Sequence, residues 1–358
     1  MKKENNETSF IRRVLIVIGL LSAFFLLALL VHFSLDIFLM LFAGALLAIF
    51  YRGCSYWIAS KINWDPNKIL PIVIFLHLGL SALIVILLSP QVSEQIEILS
   101  QEIPESVRNL EEEFYSTRVG EVVERNLPDD GNMIGDTESI FQSVFDFFKI
   151  SLEVLVNILI MFVFALFLAF NPDLYKKGLL MLFPKKRRER ISEVWDTVNV
   201  TLFKWFIGQL VDMTCIFIMT AIALWLLDIP LVLTLSLIAF LFSFVPNIGP
   251  IISAIPAILI AFTQEPIYAV YVGLAYLGIQ MFESYFITPK IQKKAIKMAP
   301  ILLLSFQLIM ASFAGVLGLF ISTPFLASLI VIIKMLYVED VIEKSPLEME
   351  SDRKESIV

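Results

Sequence analysis

The run at 240–257, FLFSFVPNIGPIISAIPA, constrains this chain more than any other feature. Nearly all of its side chains are apolar, yet Pro246, Asn247, Gly249 and Pro250 interrupt it in the middle. Proline lacks the backbone donor and its ring clashes with the preceding turn, so no plain helix runs through this segment. In hydrocarbon, backbone groups freed by such a break survive only where protein buries them or a water-filled cavity receives them. Hydrocarbon is the solvent that composition points to. With 58% hydrophobic residues, 17% charged and a mean hydropathy of +0.83, the chain is too apolar for an ordinary soluble domain.

Further apolar runs lie at 14–31, 37–51, 69–89, 152–170, 205–227, 229–262, 267–287 and 300–336. A bilayer core of about 30 Å takes about 20 helical residues. The run at 37–51 is shorter, but it can continue through Arg52, whose side chain can snorkel, toward Ile58. The first run has a basic lead-in and no small-residue cleavage site, which fits a signal anchor. Cys54 and Cys215 have neither disulfide-framework nor metal-site spacing and read as small packing residues.

Charge sets the expected orientation. Lys2, Lys3, Arg12 and Arg13 precede the first run, Arg52, Lys61 and Lys68 follow the second, and Lys176, Lys177 and the cluster at 185–190 follow the fourth. These sides, and both termini, should be cytoplasmic. The stretch 91–150 holds 14 acidic residues against four basic ones and should lie outside. Its Ile96, Leu99, Ile103, Val107 and Leu110 recur at helical steps, an apolar stripe on an acidic helix, and Pro128, Asp129, Asp130, Gly131 and Gly135 mark a turn at 127–136.

The same parity shapes the long runs. If 229–262 crossed the membrane completely, the next span would leave Lys290, Lys293, Lys294 and Lys297 outside, against the positive-inside tendency. Its first limb, 231–245, makes only about 22 Å of helix. A re-entrant hairpin from the outer face satisfies both constraints, as would two short tilted spans. The run 300–336, interrupted by Gly315, Gly318, Ser322, Thr323 and Pro324, repeats the figure from the inner face. Opposed broken hairpins overlapping near mid-bilayer are where transporters place substrate and ion sites, although Gly315 and Gly318 would also suit close helix packing. The expected fold is an all-α integral membrane protein, a helical bundle with about six full spans plus two broken re-entrant helical hairpins, about eight transmembrane segments as usually counted. The segments are 1–90, N-terminal transmembrane helices; 91–150, the acidic extracytoplasmic helix; 151–204, a transmembrane helix and basic cytoplasmic segment; 205–337, a transport core; and 338–358, a charged cytoplasmic tail.

Three signatures carry a family resemblance: PNIGPIISAIP from Pro246, ESYFITPKI from Glu283 and GVLGLFISTP from Gly315. Gly208-Gln209 and Asp228-Ile229-Pro230 are similar too. In order and spacing they resemble the autoinducer-2 exporter family, also called the permease-regulator family. That resemblance implies a bacterial inner-membrane protein, pentameric, exporting a small polar solute such as the quorum-sensing signal autoinducer-2 or exchanging cations for protons. The chain departs from the family pattern at Ser284 and near Lys293, which leaves the solute open.

Asp212 lies seven residues after Trp205, where its run begins, and Glu283 seven residues before Lys290, so both sit about 10 Å from the inner boundary, the level a hairpin tip would reach. Ionisable groups at such depth are costly and usually face a cavity or a partner, the alternative being snorkelling toward the inner boundary. The candidate substrate or ion pathway is Asp212, Glu283, Asn247, Gly249, Pro250, Gln209, Gln280, Gly315 and Gly318. Asn157, Gln209 and Gln280 could line a chamber or bond across helices, and lone His77 reads as structural. No nucleophile elbow, metal-protease motif or phosphate loop occurs, so no catalytic residue, metal or cofactor is expected. Expected partners are membrane lipid, a small polar solute or monovalent cation and proton, and further copies of the chain, with no nucleic acid. Sodium–proton antiport and, in a different class, a non-transporting scaffold or permease regulator are the competing functions.

Overall fold

The structure is a computed structural model that describes residues 35–115, 152–287, 289 and 299–343. The first apolar run, the turn at 127–136, the lysines at 290–297 and the tail beyond 343 lie outside the described residues. Among the described residues every regular element is helical. Five helices there are long and apolar enough to cross a membrane, or six if one bent pair counts as a span.

Helix α1, Leu35–Ile62, runs unbroken through Arg52, so the second apolar run does reach spanning length. Helix α2, Pro66–Tyr115, has 50 residues. Only its Pro66–Leu88 portion is apolar enough to span, and the remainder carries the start of the acidic stretch onward as one continuous helix. Phe75, Leu76, Ile86 and Leu87 along its apolar part are largely exposed, as lipid-facing side chains are. Helix α3, Leu152–Phe170, turns by 83° into α4, Pro172–Met181. The turn falls at Asn171, whose φ of −127° and ψ of 53° leave the helical region ahead of a proline. Helix α5, Arg188–Leu226, is the longest axis of the second half.

The two long runs do fold as hairpins. Helices α6, Val232–Phe242, and α7, Gly249–Gln264, have 11 and 16 residues, or about 16 and 24 Å, each short of a bilayer core. Their far ends are tied together, because the Gln264 side-chain amide donates to the Asp228 carbonyl at 3.0 Å. Helix α8, Pro266–Phe282, follows and ends in a π-helical turn, Glu283–Ile287. Helix α9, Pro300–Ile333, passes the length test for a span, yet Ala314 and Gly315 leave helical geometry and the chain reverses there. Gln307 hydrogen-bonds Thr323 at 3.4 Å, and Phe306 stacks on Phe325 with ring centroids 6.1 Å apart. Sixteen residues of straight helix would separate Gln307 from Thr323 by about 24 Å.

These hairpins enter from opposite ends of α5. The first has its mouth beside the end of α5, where the Ile229 amide donates to the Leu224 carbonyl at 3.0 Å. The second runs out through a π-helical turn, Lys334–Ile342, that is anchored at the start of α5. There the Arg190 guanidinium donates to the Met335 carbonyl at 3.0 Å and pairs with Glu339 at 2.8 Å and Asp340 at 3.0 Å. The main apolar core, with Leu224, Leu235, Ile238, Ile260 and Val272, locks the first hairpin to α5 and α8. A second core, with Tyr51, Ile69, Leu70, Ala165 and Ala169, joins α1, α2 and α3.

Candidate functional site

The first tip is built residue by residue from the interruption in the run at 240–257. Helix α6 ends as the Val245 amide turns back to the Phe242 carbonyl at 2.9 Å. Asn247 then takes a left-handed φ of 68°, which asparagine tolerates better than most residues, inside a three-residue turn closed by the Ile248 amide on the Pro246 carbonyl at 2.9 Å. Gly249 sits against α6, and a Cβ there would lie 1.9 Å from the Phe242 carbonyl oxygen. Pro250 occupies the first turn of α7, where its missing donor costs nothing. The second tip depends on Gly315, whose φ of 55° and ψ of −138° belong to glycine alone, and on Gly318, where a Cβ would lie 2.1 Å from the Met310 carbonyl oxygen.

The tips meet. Gln307, 0% exposed on the second hairpin, donates from its amide to the Pro246 carbonyl at 3.2 Å. Phe244 stacks on Phe320 with centroids 5.5 Å apart and packs edge-on to Trp205 of α5 at 5.7 Å. Gln209 of α5 donates to the Ser243 carbonyl at 2.7 Å, satisfying one of the acceptors left by the end of α6. The first tip therefore lies level with Trp205 and Gln209, about one turn from Asp212.

Asp212 on α5 and Glu283 at the head of the π-helical turn are 8% and 9% exposed, on elements that pack against each other. Asp212 Oδ1, Glu283 Oε2 and Gln280 Oε1 have no hydrogen-bond partner. Gln280 lies three residues before Glu283, on the same helical face, with its own oxygen unmatched. Two carboxylates buried side by side repel, and unsatisfied acceptors in a low-dielectric site cost several kcal/mol unless a proton or cation joins them. No cation-donating side chain is paired with either carboxylate among the described residues. The arrangement can hold a proton or a small monovalent cation between α5 and α8, close under the meeting tips.

The sequence pattern described as AI-2E family transporter matches residues 17–337. The chain belongs to the AI-2E transporter family. Its relatives in that family include two candidate transport proteins of Bacillus subtilis, YrrI, 30% identical over 152 residues, and YdbI, 32% identical over 138 residues. A candidate transport protein of Borreliella burgdorferi is 29% identical over 175 residues. These matches cover 42%, 38% and 47% of this chain and 43%, 39% and 48% of the respective relatives, so the chain aligns with less than half of each.

Within this AI-2E family chain, the fold brings Asp212, Glu283 and Gln280 together, and it places Asn247, Gly249, Pro250 and Gln209 in or against the first tip. Gly315 and Gly318 form the second tip. Asn157 on α3 is half-buried, whereas Gln209 bonds across helices to the first tip. His77 shares a 2.8 Å hydrogen bond between its Nδ1 and the Tyr51 hydroxyl within the core that joins α1 and α2. Sequence reasoning missed Gln307, which links the tips. Its signal was a lone amide in the apolar limb that begins at Pro300. Also missed was Gln95 in the second half of α2, whose Oε1 accepts from the Thr234 amide at 3.1 Å and the Thr234 hydroxyl at 2.6 Å, capping the start of the first hairpin.

Proposed function

We propose that this chain is a secondary transporter that exports a small polar solute of the autoinducer-2 type, coupled to proton or cation movement through Asp212 and Glu283. The observation that carries the reading is the pair of nine-tenths-buried carboxylates with unmatched oxygens beside two opposed hairpin tips. Occupation of the pair by a proton or cation removes the repulsion between α5 and the π-helical turn. Release restores it, so the packing of the tips against α5 responds to occupancy. The interlocked contacts of Gln307 with Pro246 and of Phe244 with Phe320 form the barrier that this response opens. Family membership supports transport as the activity. The chain works in a bacterial inner membrane with its basic end and both termini in the cytoplasm, as a homo-oligomer that the family resemblance makes a pentamer.

A second reading, sodium–proton antiport, is favoured by the same orphaned oxygens, since Asp212 Oδ1, Glu283 Oε2 and Gln280 Oε1 are ligands suited to a hard monovalent cation. Proteoliposomes test both. Under an imposed proton gradient, the export reading expects efflux of small hydroxylated solutes, and the antiport reading expects sodium-driven pH change without solute. Absence of both fluxes would move the chain to the scaffold class.

A further inference from the structure

A cavity of about 620 Å³ opens between α1, α3, α4 and α5, within the size range of ligand sites. No residue of either hairpin lines it, so it stands apart from the carboxylate site. It lies at a membrane boundary. The apolar part of α3 ends at Phe170, the chain bends by 83°, and α4 then presents Asp173 and Lys176 to the cavity while Leu174, Met181 and Leu182 are exposed. A short helix turned sharply off a spanning helix, with both exposed apolar and charged side chains, suits the interfacial plane.

The lining is graded. Ala45, Ala48, Ile49 and Leu168 form an apolar floor toward the spanning parts of α1 and α3, and Arg52, Tyr56, Trp57, Asp173, Tyr175 and Trp195 surround the opening. Four aromatic rings with polar edges are what a headgroup level attracts. The charges at the opening differ in how they are matched. Lys176 is held by both oxygens of Asp196 at 2.7 Å, which neutralises that pair. Arg52 has only neutral contacts: its Nη1 donates to Asn67 Oδ1 at 2.7 Å, its guanidinium lies 5.8 Å from the Tyr56 ring centroid, and its Nε is buried without a partner. Asp173 has no ion-pair partner among the described residues. One unmatched cation and one unmatched anion therefore face a cavity with an apolar floor.

We propose that this cavity binds a zwitterionic phospholipid of the phosphatidylethanolamine class, with its phosphate on Arg52, its ammonium on Asp173 and the surrounding rings, and an acyl chain over Ala45, Ala48 and Ile49. A guanidinium matches phosphate by charge-assisted hydrogen bonds. A primary ammonium donates to a carboxylate and lies favourably over aromatic faces. A lipid with net negative charge would place its excess charge against Asp173 and the Lys176–Asp196 pair, and a free solute would leave the apolar floor unused.

The test is native mass spectrometry of the full chain reconstituted in equal mixtures of phosphatidylethanolamine, phosphatidylcholine and phosphatidylglycerol. Wild type should retain one phosphatidylethanolamine per chain in preference to the others. Arg52→Gln should lower retention of all three by about tenfold or more, the scale of one charge-assisted hydrogen bond. Asp173→Asn should abolish the preference for phosphatidylethanolamine while leaving phospholipid bound. Ala45→Phe, which fills the floor without touching a charge, should lower retention of every phospholipid. Gel filtration and melting temperature confirm that each variant is folded. Equal or better retention of phosphatidylglycerol by wild type would overturn the zwitterion assignment. Unchanged retention by folded Arg52→Gln and Ala45→Phe would overturn the site. Competition by glycerophosphoethanolamine as effective as that of the intact lipid would replace the lipid with a soluble ligand.

Discussion

Each carboxylate at the site is explained by its neighbours rather than by its own helix. Asp212 and Glu283 are buried in a region whose remaining polar atoms include unmatched acceptors at Gln280, Thr220 and Tyr276, all on α5 or α8. Unmatched buried oxygens have no structural use that apolar side chains would not serve more cheaply. It is suited to a proton or cation that comes and goes. Glu283→Gln and Asp212→Asn remove the charge and keep the shape, so both variants should assemble normally. Flux should fall by about tenfold or more, in proportion to the ~1.5–3 kcal/mol that a hydrogen bond to a charged group contributes. What remains should lose its dependence on pH or sodium, since the amide carries no exchangeable charge. Export that uses the carboxylates only as acceptors would show reduced affinity with the pH profile intact, and wild-type flux and pH profile in both variants would remove the pair from the pathway.

The tips are where elements, and not single residues, decide the outcome, and their glycines fail for different reasons when replaced. At Gly249 the obstacle is space, because the Phe242 carbonyl occupies the position of a Cβ. At Gly315 there is open space around a Cβ, and the obstacle is a backbone conformation that costs about 1–3 kcal/mol for other residues. Gly315→Ala should therefore lower the melting temperature modestly and cut flux, whereas Gly249→Leu should displace the first tip from Gln307 and abolish flux with insertion retained. Flux assays on detergent-checked, correctly inserted protein read both, and normal transport by both would reduce these glycines to packing residues. These breaks were legible in the sequence because the cluster of Pro246, Asn247, Gly249 and Pro250 disfavours a straight helix strongly, and Gly315 with Gly318 does so more weakly, since single glycines also suit close packing. The reversal of α9 was legible for the same reason. By contrast, the contact between Gln307 and Pro246 was not, since a lone amide in an apolar limb has the same pattern whether it meets a tip or an ordinary neighbour. The continuous α2 was also hidden, because the apolar stripe that starts at Ile96 and Leu99 reads the same on a separate cap as on an extension of a span. Depth predicted that Asp212 and Glu283 share a level, while their adjacency required the packing of α5 against α8.

At the scale of the whole molecule, the single helix α5 relates everything, with the second hairpin anchored to Arg190 at one end and the first hairpin opening beside Leu224 at the other. The ion pairs of Arg190 with Glu193, Glu339 and Asp340 hold the exit of the second hairpin to the basic end. Because the two mouths lie at opposite ends of one continuous helix, the opposed-hairpin reading expects the membrane between them, with Glu265 and Arg187 facing different compartments. From the positive charge at 185–190, the Arg187 end is expected on the cytoplasmic side. A cysteine at Glu265, in a background with Cys54 and Cys215 replaced by serine, should react with an impermeant thiol reagent added to intact cells. One at Arg187 should react only after the cells are opened. Both positions lie outside the apolar helices, so neither result depends on reagent reaching into the bilayer. Labelling of the two positions from the same side would place both mouths in one compartment and dismantle the opposed-hairpin arrangement, and with it the argument that the meeting tips form a barrier. Labelling of Arg187 alone from outside would keep the arrangement and invert the molecule, reversing the proposed direction of transport.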